Sequence, residues 1–464
     1  MKKLSQTIII FLLSNIISFS QITFEKTIGD IAFQQGWSVQ QTNDGGYIIG
    51  GDTYIGSECK IYLVKTDQYG DTVWTRTYGN HQWDDLPYLA FQTNDGGYII
   101  GPTYCSNSAA DTLDLYLIKT DQLGNIVWEK KYDNNGNDDI GNYLQQTSDS
   151  GFVLVGSSTN ETTGNSSVYV IKTDPNGNVQ WEKTIQDSIG ITTIQELEQG
   201  GYIMCGVEVM TLNFVLIKLD TIGNIIWNRT YNKNLSPGYP FLTVRQTSDS
   251  GFILFSSTTL SSNTYSYLFK TNDNGDSLWA KTTFQNAGFF CGEQNDDGEY
   301  IMTGGIDSGN SDFDLFIVKT DTSGNYLWNK TFGDSYDDYG LYINQTNDGG
   351  CIVTGIKNYG SGNSDIYLIK TNENGFVRIN EILNKEESFQ IYPNPFNEFI
   401  NIRTGKKDIS VKIYNMKGQL LSTYSVENRK NSIMEINTSK YPKGLYFIKV
   451  NTIDSYKITK IIKQ

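Results

Sequence analysis

Hydrophobic and polar residues alternate in short runs along most of this chain. Runs such as "GLYINQT" and "DIYLIKT" place apolar side chains at every second position, and Asn-Gly, Asp-Gly or Gly-Gly pairs separate one run from the next. A period of two predicts half-buried β-strands, and the glycine-containing pairs tolerate the positive φ of tight hairpin turns. The pattern therefore predicts an all-β protein.

The strands belong to a repeat. A "DGG" turn, or a variant of it, recurs seven times at intervals of 48 to 54 residues, at Asp44, Asp95, Asp149, Gln199, Asp249, Asp297 and Asp348. A second mark follows each turn, as in "YLVKTDQYGDTVW" at 62–74, and only the seventh copy lacks the tryptophan, with Ile379 in its place. A period near 50 with four antiparallel strands is typical of a propeller blade, so seven units predict a seven-bladed β-propeller.

The seventh unit lacks its fourth strand, and the beginning of the mature chain supplies a candidate. "ITFEKTIGD" at 22–30 aligns with "YLWNKTFGD" at 326–334, which puts Phe24 at the position of Trp328 and Gly29 at that of Gly333. We therefore expect the N-terminal strand to complete the last blade and close the ring as a velcro strand, leaving no long unpaired edge.

The first 20 residues have the order of a signal peptide. Two lysines precede an apolar run, and Ser18 and Ser20 follow it at the spacing read by a signal peptidase. The alternative is a buried N-terminal helix. Because no later run approaches about 18 apolar residues, no transmembrane segment is expected.

Charge divides the remaining chain. The net charge of −15 argues against nucleic acid as a partner, yet the segment from Gln390 to the end carries 13 Lys and Arg against 5 Asp and Glu. An acidic body followed by a basic tail predicts a boundary near 380–390. The expected domains are a signal peptide at 1–20, the propeller at 21–380, a linker at 381–389 and a C-terminal domain at 390–464.

The tail has its own strand pattern, with Lys-Gly and Pro-Lys-Gly turns and no "DGG". It predicts a small Ig-like β-sandwich of about 75 residues. It closely resembles the type A C-terminal sorting domain of the type IX secretion system of Bacteroidota, on the strength of Tyr392, Pro393, Asn394, Pro395, Gly418, Gly444 and Tyr446 and the basic last strand. The alternative is an ordinary sandwich that binds a ligand.

That resemblance implies export through the periplasm, recognition of the tail by the secretion machinery, removal of the tail, and release or attachment at the outer surface. The strand order of the body resembles that of WD-repeat propellers. Its sequence motifs "GDSYDDYG" and "QTNDGG" resemble secreted bacterial propeller repeats of the SBBP and kelch-like kind. The second resemblance implies a fold and leaves the function open.

Loops that vary between units are the expected binding face, because binding residues concentrate on variable loops of a rigid scaffold. The "DGG" turns and the glycine turns before the tryptophans should share the opposite, structural face. The candidate ligand-binding residues are Trp37, Trp83, Asp84, Asp85, Tyr88, Asp138, Asp139, Tyr239, Phe241, Asp337, Asp338 and Tyr342. Aromatic rings beside carboxylates suit a sugar. The alternative is that the Asp-Asp pairs only cap loops.

Cofactors and catalysis have little support in the sequence. "DNNGNDD" at 133–139 and "NDNGD" at 272–276 resemble fragments of calcium loops without the full pattern, so no cofactor or metal is expected and calcium is the alternative. His81 has no partner motif for a catalytic triad, and no helix is predicted whose N-terminus could hold phosphate. The five cysteines are expected as buried apolar residues, with a Cys59–Cys105 bridge as the alternative.

The expected function is that of a secreted or cell-surface interaction protein that binds a glycan or a protein. The alternatives are an extracellular polysaccharide-degrading enzyme and a structural component of the surface layer. No catalytic residue is assigned.

Overall fold

The computed structural model describes residues 21–29, 33–55, 58–81, 88–101, 103–104, 113–160, 162–187, 189–231, 242–260, 263–307, 309, 312–360, 362–377, 390–393, 395–404, 409–415, 419–426, 432–451 and 456–463. The signal segment 1–20 and the linker 381–389 lie outside this set. All secondary-structure elements named in the described part are β-strands, which agrees with the predicted all-β class. The chain divides into two units, Met1–Arg378 and Ile379–Gln464.

The first unit contains repeated antiparallel sheets of four strands. The chain enters with β1 (Phe24–Ile28). Sheet 1 then consists of β2 (Gln34–Gln41), β3 (Tyr47–Ile55), β4 (Glu58–Thr66) and β5 (Thr72–His81). Sheet 2 consists of β6 (Leu89–Gln92), β7 (Tyr98–Gly101), β8 (Thr103–Tyr104), β9 (Asp114–Thr120) and β10 (Ile126–Tyr132). Sheet 3 consists of β11 (Asp138–Gln146), β12 (Phe152–Thr159), β13 (Ser166–Thr173) and β14 (Val179–Asp187).

The same order continues to the end of the unit. Sheet 4 consists of β15 (Ile189–Glu196), β16 (Tyr202–Glu208), β17 (Phe214–Leu219) and β18 (Ile225–Tyr231). Sheet 5 consists of β19 (Leu242–Gln246), β20 (Phe252–Leu260), β21 (Asn263–Thr271) and β22 (Ser277–Gln285). Sheet 6 consists of β23 (Ala287–Gln294), β24 (Tyr300–Asp307), β25 (Phe313–Thr320) and β26 (Tyr326–Phe332). Sheet 7 consists of β27 (Tyr339–Gln345), β28 (Cys351–Asn358), β29 (Ser364–Thr371) and β1.

The "DGG" turn builds a corner at the end of each first strand. In sheet 1, Gly45 has a φ of 83°, and a side chain at Gly46 would lie 2.1 Å from the carbonyl oxygen of Thr66. Both positions therefore favour glycine, Gly45 because of its positive φ and Gly46 because a side chain would clash with the backbone. The aspartate of the turn accepts a hydrogen bond from the nearly buried lysine of the third strand in five sheets, as Asp44–Lys65, Asp95–Lys119, Asp149–Lys172, Asp249–Lys270 and Asp348–Lys370.

Hydrogen bonds between neighbouring sheets also repeat. In each, a backbone N–H of one "DGG" turn donates to the side chain that ends the first strand of the next sheet. The pairs are Asn43–Gln92 (2.8 Å), Asn94–Gln146 (3.0 Å), Ser148–Glu196 (2.6 Å), Glu198–Gln246 (3.0 Å), Ser248–Gln294 (2.8 Å) and Asn347–Gln41 (2.9 Å). The last pair joins sheet 7 to sheet 1. The glutamine of "QTNDGG" thus connects one unit to its neighbour.

Aromatic side chains of the outer strands connect the sheets a second time. Trp128 packs against Phe152 of the next sheet with ring centroids 6.0 Å apart, and a Cβ at Gly177 would lie 2.9 Å from its ring. Phe24 of β1 is placed in the same way, with its ring centroid 5.8 Å from that of Tyr47, and a Cβ at Gly70 would lie 2.6 Å from its ring. Phe24 therefore packs as the tryptophans do, as its alignment with Trp328 predicts.

The second unit contains two sheets around one core. One consists of β30 (Gln390–Tyr392), β31 (Phe399–Thr404) and β34 (Ser432–Asn437). The other consists of β32 (Ile409–Asn415), β33 (Leu420–Val426), β35 (Gly444–Asn451) and β36 (Tyr456–Lys463). Buried residues of both sheets, among them Ile400, Ile413 and Ile448, form a single cluster. This is the arrangement of a small β-sandwich.

Candidate functional site

The first strands of six sheets line one cavity in the first unit. Its volume is about 340 Å³, which lies within the size range of small-molecule sites. The lining residues are Gln40, Phe91, Gln92, Asn94, Tyr143, Leu144, Gln145, Gln146, Ile194, Gln195, Arg245, Tyr342 and Asn344. We call this space the inner-strand cavity. It lies at the end of the first strands that carries the "DGG" turns, because Asn94 belongs to such a turn.

One repeat position supplies six of the lining residues. It falls four residues before the first residue of the "DGG" triplet or its variant, and its occupants are Gln40, Phe91, Gln145, Gln195, Arg245, Glu293 and Asn344. All seven side chains are half-buried. A β-bulge interrupts the pairing of the first strand a few residues earlier, for example between Gly141 and Tyr143 and between Gly340 and Tyr342. Such bulges change the direction of the side chains that follow them.

Arg245 is the one cation of the lining. Its guanidinium donates to the hydroxyl of Tyr143 at 3.1 Å and to the carbonyl of Val244 at 2.9 Å. The hydroxyls of Tyr143 and Tyr342 are 3.1 Å apart. Burial would lower the pKa of Arg245, but Tyr143 and Tyr342 raise it above its ordinary value, so the group stays charged. Within the described residues Arg245 forms no ion pair.

Three amide side chains surround the cavity with a common hydrogen-bond pattern. The Oε1 atoms of Gln40, Gln145 and Gln195 accept from the backbone N–H of the adjacent first strand at 2.7 to 2.8 Å. Each oxygen is thereby fixed, and each Nε2 group remains a donor. None of these Nε2 groups donates to another residue in the part of the chain that the structure describes. The cavity therefore presents amide N–H groups that have no acceptor among the described residues.

Glu293 is the one carboxylate among the seven occupants of this repeat position. Asn344 Nδ2 donates to it at 3.1 Å, and the backbone N–H of Gln345 donates to its other oxygen. Burial raises the pKa of Glu293, while those two hydrogen bonds and Arg245 oppose the rise. Both oxygens are engaged by protein donors, so Glu293 serves first to hold β23 against β27.

The sequence predicted a different set, which includes two Asp-Asp pairs whose role in ligand binding stays a prediction. The first member of each pair accepts a backbone N–H of the preceding sheet, Asp138 from Leu113 at 3.0 Å and Asp337 from Phe313 at 2.8 Å. The second members, Asp139 and Asp338, are fully buried. Burial raises the pKa of Asp139 to about 6 and also raises that of Asp338. These contacts fit the loop-capping alternative.

The remaining predicted residues are scattered. The indole N–H of Trp37 donates to Asp52 at 2.6 Å, and Tyr88 is 1% exposed within a hydrophobic cluster. Tyr342 lines the inner-strand cavity. Trp83, Asp84, Asp85, Tyr239 and Phe241 lie outside the described residues. Their role as ligand-binding residues stays a prediction.

Sequence reasoning missed Gln40, Phe91, Gln145, Gln195, Arg245 and Asn344. It assigned the "DGG" side of the repeat to structure alone because the turns there are uniform. A signal was present, since one position next to those turns holds five residue types in seven units, while the turn that follows it is repeated. Variation beside a repeated turn marks a position where side chains can differ without changing the backbone.

Among the described residues, no group of three or more His, Cys, Asp and Glu side chains is placed to hold a metal ion. Cys59, Cys205, Cys291 and Cys351 are buried, and burial raises the pKa of Cys205 to about 11. Cys105 lies outside the described residues, so the Cys59–Cys105 alternative stays untested. In the same residues no helix could cross a membrane.

The tail places its motif residues in and around the sandwich core. Tyr446 is 4% exposed and donates to the carbonyl of Pro442 at 2.6 Å, whereas Tyr392 is 38% exposed. Gly444 has a φ of 149°, which favours glycine. Pro393 and Pro395 line a shallow groove beside β31, and Asn394 and Gly418 lie outside the described residues.

Residues 390–464 match the family of the secretion system C-terminal sorting domain. The tail is a type IX sorting domain. This domain implies interaction with the type IX machinery and export to the cell surface or the medium. No curated protein matches the chain.

The chain is similar to several solved structures at low sequence identity. A protein of unknown function from Dyadobacter fermentans is 10% identical with a TM-score of 0.43, over 76% of this chain and 95% of that one. PorZ, a surface component of the type IX system of Porphyromonas gingivalis, is 11% identical with a TM-score of 0.42, over 94% of this chain and 60% of PorZ. An endo-arabinase from Bacteroides thetaiotaomicron is 10% identical with a TM-score of 0.32, over 55% of this chain and 95% of the enzyme.

Proposed function

We propose that sheets 1 to 7 are the blades of a seven-bladed β-propeller that β1 closes. Three observations support this architecture. β1 pairs with β29 along five residues, Phe24 packs against sheet 1 as each tryptophan packs against its next sheet, and the N–H of Asn347 donates to Gln41 across the same junction. The first strands would then surround the axis, and the inner-strand cavity would be the mouth of the central channel.

We further propose that the exported protein binds an acidic sugar unit, such as a uronic acid of an extracellular polysaccharide, in this cavity. The observation that carries the proposal is Arg245, a half-buried cation without an ion-pair partner among the described residues, beside three amides whose N–H groups lack acceptors. A carboxylate on a ring of hydroxyls would supply both kinds of acceptor. Charge-assisted hydrogen bonds are about twice as strong as neutral ones.

Phe91 completes the chemical fit. Its ring centroid lies 5.9 Å from that of Tyr342 and 6.4 Å from that of Tyr143, so one wall of the cavity is aromatic. Sugar rings present apolar C–H faces that pack on such walls, while their hydroxyls reach the polar groups opposite.

A polysaccharide-degrading enzyme is the less favoured function. Glycoside hydrolysis commonly uses two carboxyl groups on either side of the scissile bond. Glu293 is the one carboxylate among the seven occupants of the repeat position that lines the cavity, and protein donors engage both of its oxygens. Binding without bond cleavage therefore agrees better with the lining.

The test is an array of acidic and neutral oligosaccharides followed by calorimetric titration of the full chain with the best hit. We expect uronate-containing sugars to bind and their neutral counterparts to bind at least tenfold more weakly. Arg245→Gln should weaken uronate binding by roughly 10- to 100-fold, because a hydrogen bond to a charged group contributes about 1.5–3 kcal/mol.

Arg229→Gln is the matched control, because Arg229 is an exposed arginine on the outer strand β18 and should leave affinity unchanged. If no acidic sugar binds, or if both variants lose affinity equally, the assignment of the cavity is refuted. The export route would stand in either case, because it rests on the tail.

A further inference from the structure

One pair of positions can be compared across the repeat, where the first strand begins and the second strand ends. The two residues face each other across the strands, and their chemistry matches in three of the five sheets in which both are described. Sheet 4 is one exception, with Ile189 opposite Glu208, whose carboxylate accepts hydrogen bonds from Thr211 and Thr230. Sheet 1 has Gln34 and Thr53, whose side chains are hydrogen-bonded at 3.1 Å. Sheet 6 has the apolar pair Ala287 and Ile306. This comparison identifies positions where the match fails.

Sheet 7 places an ion pair at this position. Asp338 is fully buried, and the ammonium of Lys357 lies 2.6 Å from its Oδ2 atom and 2.9 Å from Asp334. The other oxygen of Asp338 accepts the N–H of Asn358 at 2.9 Å. The same ammonium lies 5.0 Å from the ring centroid of Tyr367. Both oxygens of the buried carboxylate are thereby satisfied.

Sheet 3 has the carboxylate without the cation. Asp139 is fully buried at the equivalent position, and its cross-strand partner is Ser158 in place of lysine. Asn134 N–H donates to its Oδ2 atom at 2.6 Å, much as Asp334 N–H donates to Asp338 at 3.2 Å. The Oδ1 atom of Asp139 is buried and has no hydrogen-bond partner within 3.5 Å among the described residues, although the Ser158 hydroxyl is near enough to favour the charged carboxylate. A tyrosine, Tyr169, again lies opposite the equivalent glycine of the second strand.

An uncompensated buried carboxylate is costly, by several kcal/mol even after relaxation. Asp133, in the loop that leads into β11, is close enough to Asp139 to repel it electrostatically and raises the cost further. A cation at this place would remove both penalties, as Lys357 does in sheet 7.

The loop before Asp139 carries the oxygen ligands that a hard cation prefers. Its sequence "DNNGNDD" supplies the carboxylate of Asp133 and the amide oxygens of Asn135 and Asn137. One oxygen of Asp133 also accepts the N–H of Gly136 at 2.7 Å, and the amide oxygen of Asn137 accepts from Asn160 at 3.2 Å. Calcium takes carboxylate and amide oxygens in flexible arrangements, whereas magnesium demands a regular octahedron. With two carboxylates and neutral oxygens, the loop differs from sites built on three acidic side chains.

We propose that residues 133–139 bind a calcium ion against Asp139, and that this ion takes the role that the Lys357 ammonium has in sheet 7. The site lies between sheets 2 and 3 and is separate from the inner-strand cavity. Binding would tie the loop to β11 and stabilise the junction.

The experiment compares thermal unfolding of the full chain in EDTA and in calcium, with calorimetric titration of the EDTA-treated protein. We expect one calcium ion to bind and to raise the Tm, because a ligand specific for the folded state stabilises it by mass action. Asp139→Asn should abolish both the heat of binding and the rise in Tm. Magnesium at the same concentration should give the smaller shift.

Ser158→Lys is the decisive variant, because it installs the ammonium of sheet 7 at the equivalent place. We expect it to unfold at a higher Tm in EDTA than the unmodified chain and to lose its response to calcium. Asp338→Asn is the matched control, and its response to calcium should remain intact. No binding of calcium, a shift that survives in Asp139→Asn, or a Ser158→Lys protein that still responds to calcium would overturn the proposal.

Discussion

Removal of the Phe24 side chain tests whether β1 locks sheet 7 against sheet 1. The ring is 2% exposed and packs on Tyr47 and on the backbone at Gly70. A buried phenylalanine removes roughly 150–200 Å² of apolar surface from water, equivalent to about 4–5 kcal/mol at 25 cal/mol per Å². Because an edge strand can relax around the space, we expect Phe24→Ala to lower the free energy of unfolding by about 3–4 kcal/mol.

Urea unfolding followed by tryptophan fluorescence measures this loss in the body alone. All eight tryptophans lie between residues 37 and 328, so the tail does not contribute to the signal. Phe24→Trp should retain nearly full stability, because Trp74, Trp128 and their equivalents make the same contact elsewhere. Phe376→Ala, at a side chain that is 56% exposed, should cost less than about 1 kcal/mol.

A free energy of unfolding for Phe24→Ala within about 1 kcal/mol of that of the unmodified chain would contradict this expectation, since β1 would then contribute little to closure. So would a Phe24→Trp variant that is as destabilised as Phe24→Ala. That result would mean that the position does not share the environment of the tryptophans.

Two further predictions concern the corners and the tail. Lys370→Met removes the ammonium that donates to both oxygens of Asp348 and to the carbonyl of Thr371, and it should cost about 1–3 kcal/mol in urea unfolding. Burial would raise the pKa of Asp348, but hydrogen bonds from Thr346 and Lys370 hold it below 3.8. As the pH falls, the carboxyl of the unfolded chain is therefore protonated before that of the folded protein, and stability falls below about pH 4. Lys370→Met should weaken that pH dependence. Deletion of 390–464 should retain the protein in the periplasm on cell fractionation, whereas a tail-less protein in the medium would contradict the sorting role.

Much of the fold could be predicted because the repeat imposes it. Seven copies of a turn that always contains glycine indicate the strand boundaries, and the alignment of 22–30 with 326–334 located the contact made by Phe24. The hydrogen bonds between sheets were not foreseen, although "QT" recurs beside five of the seven turns. A repeated glutamine can serve within its own unit or the next one, and spacing alone does not distinguish the two cases.

The candidate site was harder to predict for a related reason. Equivalent positions form a candidate site only when side chains from several units meet in space, and the sequence separates those side chains by about 50 residues each. In the sequence, Arg245 is not distinguished from any other arginine on a strand. The structure identifies it as a candidate site residue because it forms a hydrogen-bonded chain with Tyr143 and Tyr342, which lie about 100 residues away on either side.

The same comparison across units exposes residues that the scaffold does not explain. Lys357 neutralises Asp338, whereas Ser158 leaves Asp139 without a counter-charge, so identical corners differ in their charge balance. In a repeat protein each unit is a control for the others, because the backbone and most of the neighbours are held constant. A mismatch between equivalent positions is therefore stronger evidence for a ligand than an acidic loop considered by itself, and Ser158→Lys tests it by making two units alike.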